Sequence, residues 1–177
     1  MSLRMPEPDA AILGRRERIV ATLRTIVPGE GVIAAERELR PYESDGLTAY
    51  RQLPMVVVLP ETTEQVAQIL RYCHAEGIKV VPRGAGTSLS GGALPLADGV
   101  LLGMAKFNRI REVDFENRVA VVEPGVTNLA VSNAVAYAGF YYAPDPSSQI
   151  ACTIGGNVAE NSGGVHCLKY GMTTNNV

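Results

Sequence analysis

The sequence predicts an α+β fold built around one strand–helix–strand unit, and three observations support this prediction. Two short apolar runs, Met55–Leu59 and Ile78–Val81, have the length of buried strands. The segment between them has the apolar period of a helix. Beyond Gly99, strand-like segments follow one another without helices between them. A chain that changes from strand–helix alternation to consecutive strands is typical of α+β folds.

An amphipathic helix is predicted near the N-terminus. Arginines occupy the face opposite its apolar residues, and Pro28-Gly29 ends the pattern. The apolar face comprises Ile12, Leu13, Ile19, Val20, Leu23, Ile26 and Val27. Residues 30–54 show no such period, so we expect an irregular lead-in there. The N-terminal helix and the lead-in together are assigned to residues 1–53.

The strand–helix–strand unit comes next. Thr62 and Gln65 have the pattern of a capping box, and Gly77 is placed to end the helix. One face of this helix is expected to be buried, and it carries Val66, Ile69, Leu70 and Cys73. We expect the two strands to be parallel and the crossover between them to be right-handed.

Three further strands are expected to form a meander: Gly99–Met104, Ile110–Asp114 and Arg118–Glu123. Residues 115–117 have the composition of a hairpin turn between the last two. Thr127 is then a candidate cap for a helix that ends at Gly139. That helix carries Leu129, Ala130, Asn133, Ala134 and Tyr137.

Composition and charge argue against several classes of function. The 177 residues carry 16 Lys and Arg against 18 Asp and Glu, without a dense basic cluster, so nucleic acid is not an expected partner. No stretch approaches the roughly 20 apolar residues that span a bilayer, and the first residues lack the apolar core of a signal peptide. We therefore expect no transmembrane segment and a cytoplasmic location.

The cysteines predict reduced thiols and not a metal centre. There are three, Cys73, Cys152 and Cys167, at spacings that match neither a zinc ribbon nor a disulfide framework. His74 beside Cys73 and His166 beside Cys167 are poor ligand pairs, because adjacent side chains on a helix or strand point apart. No metal site is expected within this chain.

The stretch PRGAGTSLSGG, residues 82–92, follows directly on the second strand. It is not a Walker A loop, because no lysine follows its last glycine. It is not a dinucleotide fingerprint either, because Leu89 stands where a third glycine is needed. Glycines let backbone N–H groups turn toward an anion, and the hydroxyls of Thr87, Ser88 and Ser90 add donors. The loop predicts a pyrophosphate site, with a mobile connection as the alternative.

Arg83 lies in the same stretch, where it would add a positive charge; an ordinary surface arginine is the alternative. A second glycine-rich stretch has the pairs Gly155-Gly156 and Gly163-Gly164, with Asn157 and Asn161 between them. These small residues allow close backbone approach, and the asparagines supply amide donors and acceptors. Two such stretches in one small chain indicate a large ligand.

Five motifs occur in a fixed order: PRGAGTSLSGGA, then PGV at 124–126, PDPSS, TIGGNVAENSGG and HCLKYG. In this order they resemble the FAD-binding domain of the vanillyl-alcohol oxidase / p-cresol methylhydroxylase superfamily. The resemblance is to its branch of FAD-linked dehydrogenases that act on glycolate, D-lactate or D-2-hydroxyglutarate. It runs from about Pro54 to the end of the chain and implies a FAD-binding domain over residues 54–177.

The resemblance also implies which residues bind FAD. Those of the first loop would lie at the diphosphate: Arg83, Gly84, Ala85, Gly86, Thr87 and Ser88. Those of the second part would lie nearer the ribityl chain and the ring: Asp145, Thr153, Gly155, Gly156, Asn157 and Asn161. Some members of the superfamily attach FAD through a histidine in the first loop. Thr87 stands at that position here, so we expect FAD to be bound non-covalently.

The activity implied is oxidation of a small 2-hydroxy acid, glycolate or D-lactate, by hydride transfer from its α-carbon to the flavin. The implied partners are iron–sulfur or other electron-accepting subunits of a glycolate oxidase complex. Through these subunits the protein would lie at the periphery of the inner membrane. A non-catalytic flavin- or nucleotide-binding module that acts in assembly or regulation is the alternative. A third possibility within the superfamily is a cell-wall reductase that uses NADPH, but no motif in the sequence supports it.

Members of the superfamily continue beyond the position of Val177 into further strands of the flavin domain and a separate substrate-binding cap domain. We therefore expect the FAD-binding domain to be incomplete here, and the catalytic residues to lie past Val177. No catalytic residue is assigned; His166 is the nearest titratable candidate. The chain by itself is expected to be inactive.

Overall fold

A computed structural model describes residues 4–177, which divide into two compact units. Unit 1 is Met1–Lys106, described from Arg4 onward, and unit 2 is Phe107–Val177. The division falls inside the region that the motifs assign to the FAD-binding domain. The assignment of residues 1–53 and 54–177 rests on those motifs and stays a prediction.

Unit 1 contains a four-stranded sheet. Its strands are β1 (Val32–Ile33), β2 (Val56–Val58), β3 (Lys79–Arg83) and β4 (Gly99–Gly103), in the spatial order β1-β2-β4-β3. Strand β1 is antiparallel to β2, whereas β2 and β3 both run parallel to β4. The predicted parallel orientation of the two strands of the strand–helix–strand unit is confirmed.

The predicted meander is wrong, because β4 belongs to this parallel sheet and not to the hairpin that follows it. All five residues of β4 are buried, and it lies between β2 and β3. A strand covered on both faces shows a continuous apolar run, which is typical of the centre of a parallel sheet and not of a half-exposed meander.

The N-terminal helix is present but broken into α1 (Ala10–Leu13) and α2 (Arg16–Ile26). Helix α2 buries three of the predicted apolar residues, Ile19, Val20 and Leu23. The lead-in is less irregular than expected, since it contains β1, helix α3 (Glu36–Leu39) and a 3-10 turn at Arg40–Tyr42. Elements of two to four residues are too short to show a period in the sequence.

Helix α4 (Thr63–Glu76) begins and ends where predicted, but the capping box is incomplete, because the Gln65 side chain accepts the Glu61 N–H at 2.7 Å and not that of Thr62. The Thr62 hydroxyl accepts the Gln65 N–H at 3.2 Å, and Gly77 ends the helix with a φ of 68°. Ile69 and Cys73 are fully buried, but Leu70 is 45% exposed, so its assignment to the buried face is wrong. Leu70 follows Ile69 directly and lies about 100° away around the helix axis.

Both faces of the sheet are covered. On one face, Val56, Val58, Val100 and Leu102 pack in one core with residues of α2 and α4. On the other face, Val57 and Leu101 pack with Leu39, and the half-buried residues Ile33, Tyr42, Leu53 and Leu59 join them. The lead-in therefore forms the cover of the second face, which brings its backbone to the same side of unit 1 as the first glycine-rich loop.

Unit 2 begins with the predicted hairpin of β5 (Ile110–Asp114) and β6 (Val119–Val122). Helix α5 (Asn128–Val135) continues as a 3-10 turn to Ala138, and Gly139 ends it in the left-handed region. The predicted N-cap position of Thr127 on α5 is confirmed, but its side chain makes no capping hydrogen bond.

The second glycine-rich stretch contains a helix that the sequence did not predict. Helix α6 (Ile154–Glu160) is followed by α7 (Cys167–Tyr170) and a 3-10 turn at Thr173–Asn175. Glycine and asparagine are poor helix formers, so local propensity argued for a loop. Within the described residues, no helix has both the length and the apolar character needed to cross a membrane.

Candidate cofactor-binding loops

The first loop leaves the carboxyl end of β3 and turns at glycines in the left-handed region. Gly86 has a φ of 71° and Gly91 a φ of 78°. Within residues 4–177, the backbone N–H groups of Gly86, Thr87 and Leu89 donate no hydrogen bond. Backbone donors that the protein leaves open beside a left-handed glycine are the elements of an anion-binding nest. The local geometry therefore fits the diphosphate that the sequence predicts.

Arg83, the last residue of β3, is buried at 9% exposure and is not an ordinary surface arginine. Its Nη1 donates to the carbonyl oxygen of Ser44 at 2.8 Å and to that of Tyr42 at 3.3 Å. A Cβ built on Gly86 would overlap the guanidinium. Burial lowers the pKa of Arg83, while the nearby Asp45 and Tyr42 oppose this shift. Arg83 thus ties the loop to the backbone of the lead-in.

The start of the second stretch is held by a cap and by close packing. Thr153 Oγ1 accepts the Gly156 N–H at 3.4 Å and caps helix α6. The Gly155 N–H donates to the Pro124 carbonyl oxygen at 2.8 Å. A Cβ on Gly155 would lie 2.8 Å from the Cβ of Pro124. Position 155 therefore has room only for glycine as long as this contact is kept.

Asn157 points into unit 2. It is 2% exposed, its Oδ1 accepts from Asn128 Nδ2 at 2.9 Å, and its Nδ2 contacts Cys152 Sγ at 3.3 Å. Asn128, which the sequence reasoning missed, also donates from Nδ2 to the Pro144 carbonyl oxygen at 2.7 Å. The Oδ1 of Asn128 has no hydrogen-bond partner among the described residues. The side chain of Asn157 is thus engaged in holding the fold.

Asn161 differs from Asn157, because it is exposed and ends helix α6. Its φ is 51°, and its Oδ1 accepts the Thr174 N–H at 3.0 Å. Asparagine is one of the few residues other than glycine that adopt this conformation readily. Its amide remains at the surface of unit 2.

Asp145 and His166 form a pair that the sequence reasoning did not connect. Asp145 Oδ2 lies 2.7 Å from His166 Nδ1, and the ring of His166 lies among the rings of Tyr141 and Tyr170. Burial raises the pKa of Asp145, but hydrogen bonds from the ring and backbone of His166 outweigh it, so the net shift is downward. The two residues are 21 positions apart, so no local pattern could reveal the contact. No three His, Cys, Asp or Glu side chains in the described part of the chain are grouped as metal ligands.

Unit 2 also has an open groove of about 710 Å³ that the sequence did not indicate. Its lining is mostly apolar and includes Val119, Val121, Phe140, Ile154 and Val158. An apolar lining can bury apolar surface but offers few donors to a diphosphate. The groove is therefore chemically different from the first loop.

Comparisons with known proteins agree with the resemblance. Residues 54–177 match the family of FAD binding domains. The glycolate oxidase subunit GlcD of Escherichia coli K12 is 59% identical over 162 residues, which cover 92% of this chain and 32% of that protein. The D-lactate dehydrogenase of Archaeoglobus fulgidus is 43% identical over 122 residues, 69% of this chain and 27% of that protein.

Among solved structures, p-cresol methylhydroxylase with substrate bound matches with a TM-score of 0.73 and 23% identity, over 84% of this chain and 30% of that one. The fold is thus of the vanillyl-alcohol oxidase / p-cresol methylhydroxylase type. The chain spans about a third of the length of the curated relatives it matches. Because residues 54–177 match the family, and the loop after β3 has backbone amides that donate no hydrogen bond, the chain belongs to the FAD binding domain family.

Proposed function

We propose that this chain is the FAD-holding part of a dehydrogenase that oxidises a small 2-hydroxy acid, glycolate or D-lactate. The observation that carries the proposal is the first loop, whose open amides beside Gly86 suit a diphosphate. The names of the relatives, a glycolate oxidase subunit and a D-lactate dehydrogenase, support the substrate class.

In this proposal the first loop holds the FAD diphosphate mainly through its backbone. The open amides of Gly86, Thr87 and Leu89 donate to it, with Gly84, Ala85 and Ser88 completing the loop. Arg83 contributes through the shape of the loop, because its Nη1 already donates to carbonyl oxygens of the lead-in.

The residues of unit 2 are proposed to contact the ribityl chain and the ring. Asp145 and Asn161 have polar atoms at or near the surface of unit 2. Gly156 has open space around it, because a Cβ there would meet only Thr153 Oγ1, at 3.4 Å. The remaining members of the predicted set, Thr153, Gly155 and Asn157, are proposed to shape the backbone there. Their side chains or packing contacts are used within unit 2.

FAD, when bound, is the acceptor of the two electrons that leave the α-carbon of the hydroxy acid as a hydride. No residue of this chain is assigned to proton transfer or to the substrate. We propose that the whole protein passes electrons to an iron–sulfur or other electron-accepting subunit, and that it lies in the cytoplasm or at the inner membrane through such subunits. We also propose that one FAD binds to each protein chain and that no covalent bond attaches it.

The test is the visible absorbance of the full-length protein, purified with FAD, before and after addition of glycolate or D-lactate without oxygen. Loss of the flavin band on addition of either acid is the expected result. A FAD-loaded protein that keeps its flavin band with both acids would favour the alternative of a non-catalytic flavin-binding module. The 177-residue chain by itself should show no turnover of either acid with an artificial electron-accepting dye.

A further inference from the structure

Gly46, in the lead-in, lies directly against the first glycine-rich loop. A Cβ built on Gly46 would be 2.6 Å from the carbonyl oxygen of Ser88 and 2.7 Å from that of Thr87. The φ of Gly46 is not in the left-handed region, so its backbone conformation does not require glycine. The space between the two segments does require it.

This contact determines which way two peptide groups of the loop face. In a trans peptide, the carbonyl oxygen and the N–H of the next residue point in opposite directions. Because the oxygens of Thr87 and Ser88 are turned toward Gly46, the N–H groups of Ser88 and Leu89 are directed away from it. Gly46 thus faces the carbonyl side of the loop, and the donor side is the opposite one.

The segment around Gly46 is also tied to the loop by Arg83 and lies beside the far end of the loop at Leu47, and we call residues 42–47 the platform. Arg83 Nη1 donates to the carbonyl oxygens of Tyr42 and Ser44 in the platform. Asp45 is buried at 6% exposure, and its Oδ1 accepts the Leu47 N–H at 2.9 Å. The side chain of Leu47 would lie 3.5 Å from a Cβ on Gly91, at the far end of the loop.

We infer that the platform is a positioning element for the diphosphate of FAD, and that Gly46 is its key residue. The inference rests on the proposed function. Gly46 acts through the loop and not on the cofactor: it lets the Thr87 and Ser88 carbonyl oxygens lie on the platform, so that the open Leu89 amide on the opposite side faces the anion. A methyl group at position 46 would push the Thr87–Ser88 backbone away and turn this donor out of alignment.

The experiment compares FAD and riboflavin binding to the full-length protein and to its Gly46→Ala variant. Riboflavin has no phosphate, so a fault confined to the diphosphate loop should spare it. We expect the Kd for FAD to rise roughly 10- to 100-fold, the loss expected from overpacking by one methyl group, while the Kd for riboflavin changes less than about twofold.

Gly31→Ala is the matched control, because a Cβ there would overlap the Val27 side chain and lie 3.2 Å from the Leu59 carbonyl oxygen, and neither residue belongs to the loop or to the platform. This variant should lose thermal stability but keep the ratio of the two Kd values. Gly14→Ala, whose Cβ would meet Ala10 O at an ordinary 3.4 Å, should change neither quantity.

If Gly46→Ala binds FAD as tightly as the unmodified protein, or loses riboflavin equally, the inference is wrong. If the unmodified protein binds no FAD, the proposed function itself fails, which is a different result. Should Gly46→Ala not fold, Leu47→Ala replaces it, since this change removes the platform side chain that lies beside Gly91 without adding atoms. A selective loss of FAD affinity in Leu47→Ala would support the platform, and unchanged binding of both ligands would overturn it.

Discussion

Gly164 lies so close to Asp145 that a Cβ on Gly164 would overlap the Asp145 carbonyl oxygen. The contact joins two segments of unit 2 that are distant in sequence, and the Asp145–His166 hydrogen bond lies beside it. The overlapping atom would be backbone, which moves less easily than the end of a flexible side chain. Gly164 is therefore needed for the packing of unit 2.

Gly164→Ala should destabilise the protein by about 1–3 kcal/mol, because the added methyl group forces the Asp145 backbone to move. Urea unfolding monitored by circular dichroism measures the change. Gly156→Ala is the control, since its Cβ would meet only Thr153 Oγ1 at 3.4 Å and alanine favours the helix. Equal unfolding midpoints for the two variants would contradict the packing argument.

A second prediction concerns Glu123, whose side chain is 3% exposed and accepts hydrogen bonds from Arg109 and Arg111 at 2.9 Å. Hydrogen bonds from the Arg109 side chain, its backbone N–H and the Arg111 side chain lower the pKa of Glu123 to about 2. The unfolded chain has an ordinary glutamate pKa of about 4.3. The native state thus gains stability above that value, and loses it as the pH falls toward 2.

Glu123→Gln should therefore lower the thermal unfolding midpoint at pH 6, and this difference should shrink as the pH falls from about 4.5 to 2. Thermal unfolding of both proteins across this range is the measurement. Glu112→Gln on β5 is a suitable control, because Glu112 lies on the same hairpin and is exposed, so its replacement should leave the unfolding midpoint at pH 6 nearly unchanged. A deficit that stays constant down to pH 2 would mean that the ion pairs do not stabilise the fold.

Parts of the fold could be predicted because their signal is local. The apolar run at β2, the cap at Thr62 and the left-handed Gly77 each involve neighbouring residues. The glycine spacing of the first loop is local too, and by itself it indicates an anion. The parallel strands then followed from the general rule for crossover connections.

The rest depends on contacts between distant residues. No short-range sequence pattern indicates three of the observed features: the insertion of β4 between β2 and β3, the Asp145–His166 pair, and the contact of Gly46 with the first loop. Helix α6 formed against local propensity, because Thr153 caps its start and Asn161 ends it in the left-handed region. Arg83 was expected at the surface or at the anion, whereas its guanidinium donates to carbonyl oxygens of a segment about 40 positions away.

A third prediction concerns the cysteines. Cys73 is buried and its burial raises the pKa of the thiol to about 11; Cys152 is also buried, whereas Cys167 is exposed. Because the thiolate is the reactive form, a maleimide at pH 7 should label one thiol rapidly in the native protein and all three after unfolding. Cys167→Ser should abolish the rapid phase. Rapid labelling at Cys73, located by peptide mass, would show that helix α4 is not packed as described.

The last prediction is that FAD is not attached covalently through the first loop. Thr87 stands where some members of the superfamily carry a histidine, and a threonine hydroxyl is neutral and weakly nucleophilic at ordinary pH, so it should only hydrogen-bond the cofactor. The test must include His166 and the three cysteines as other attachment points, so it uses the whole protein. After reconstitution with FAD and acid precipitation, all the yellow colour should appear in the supernatant; a protein mass increased by one FAD would contradict this, and peptide mapping would then identify the attached residue.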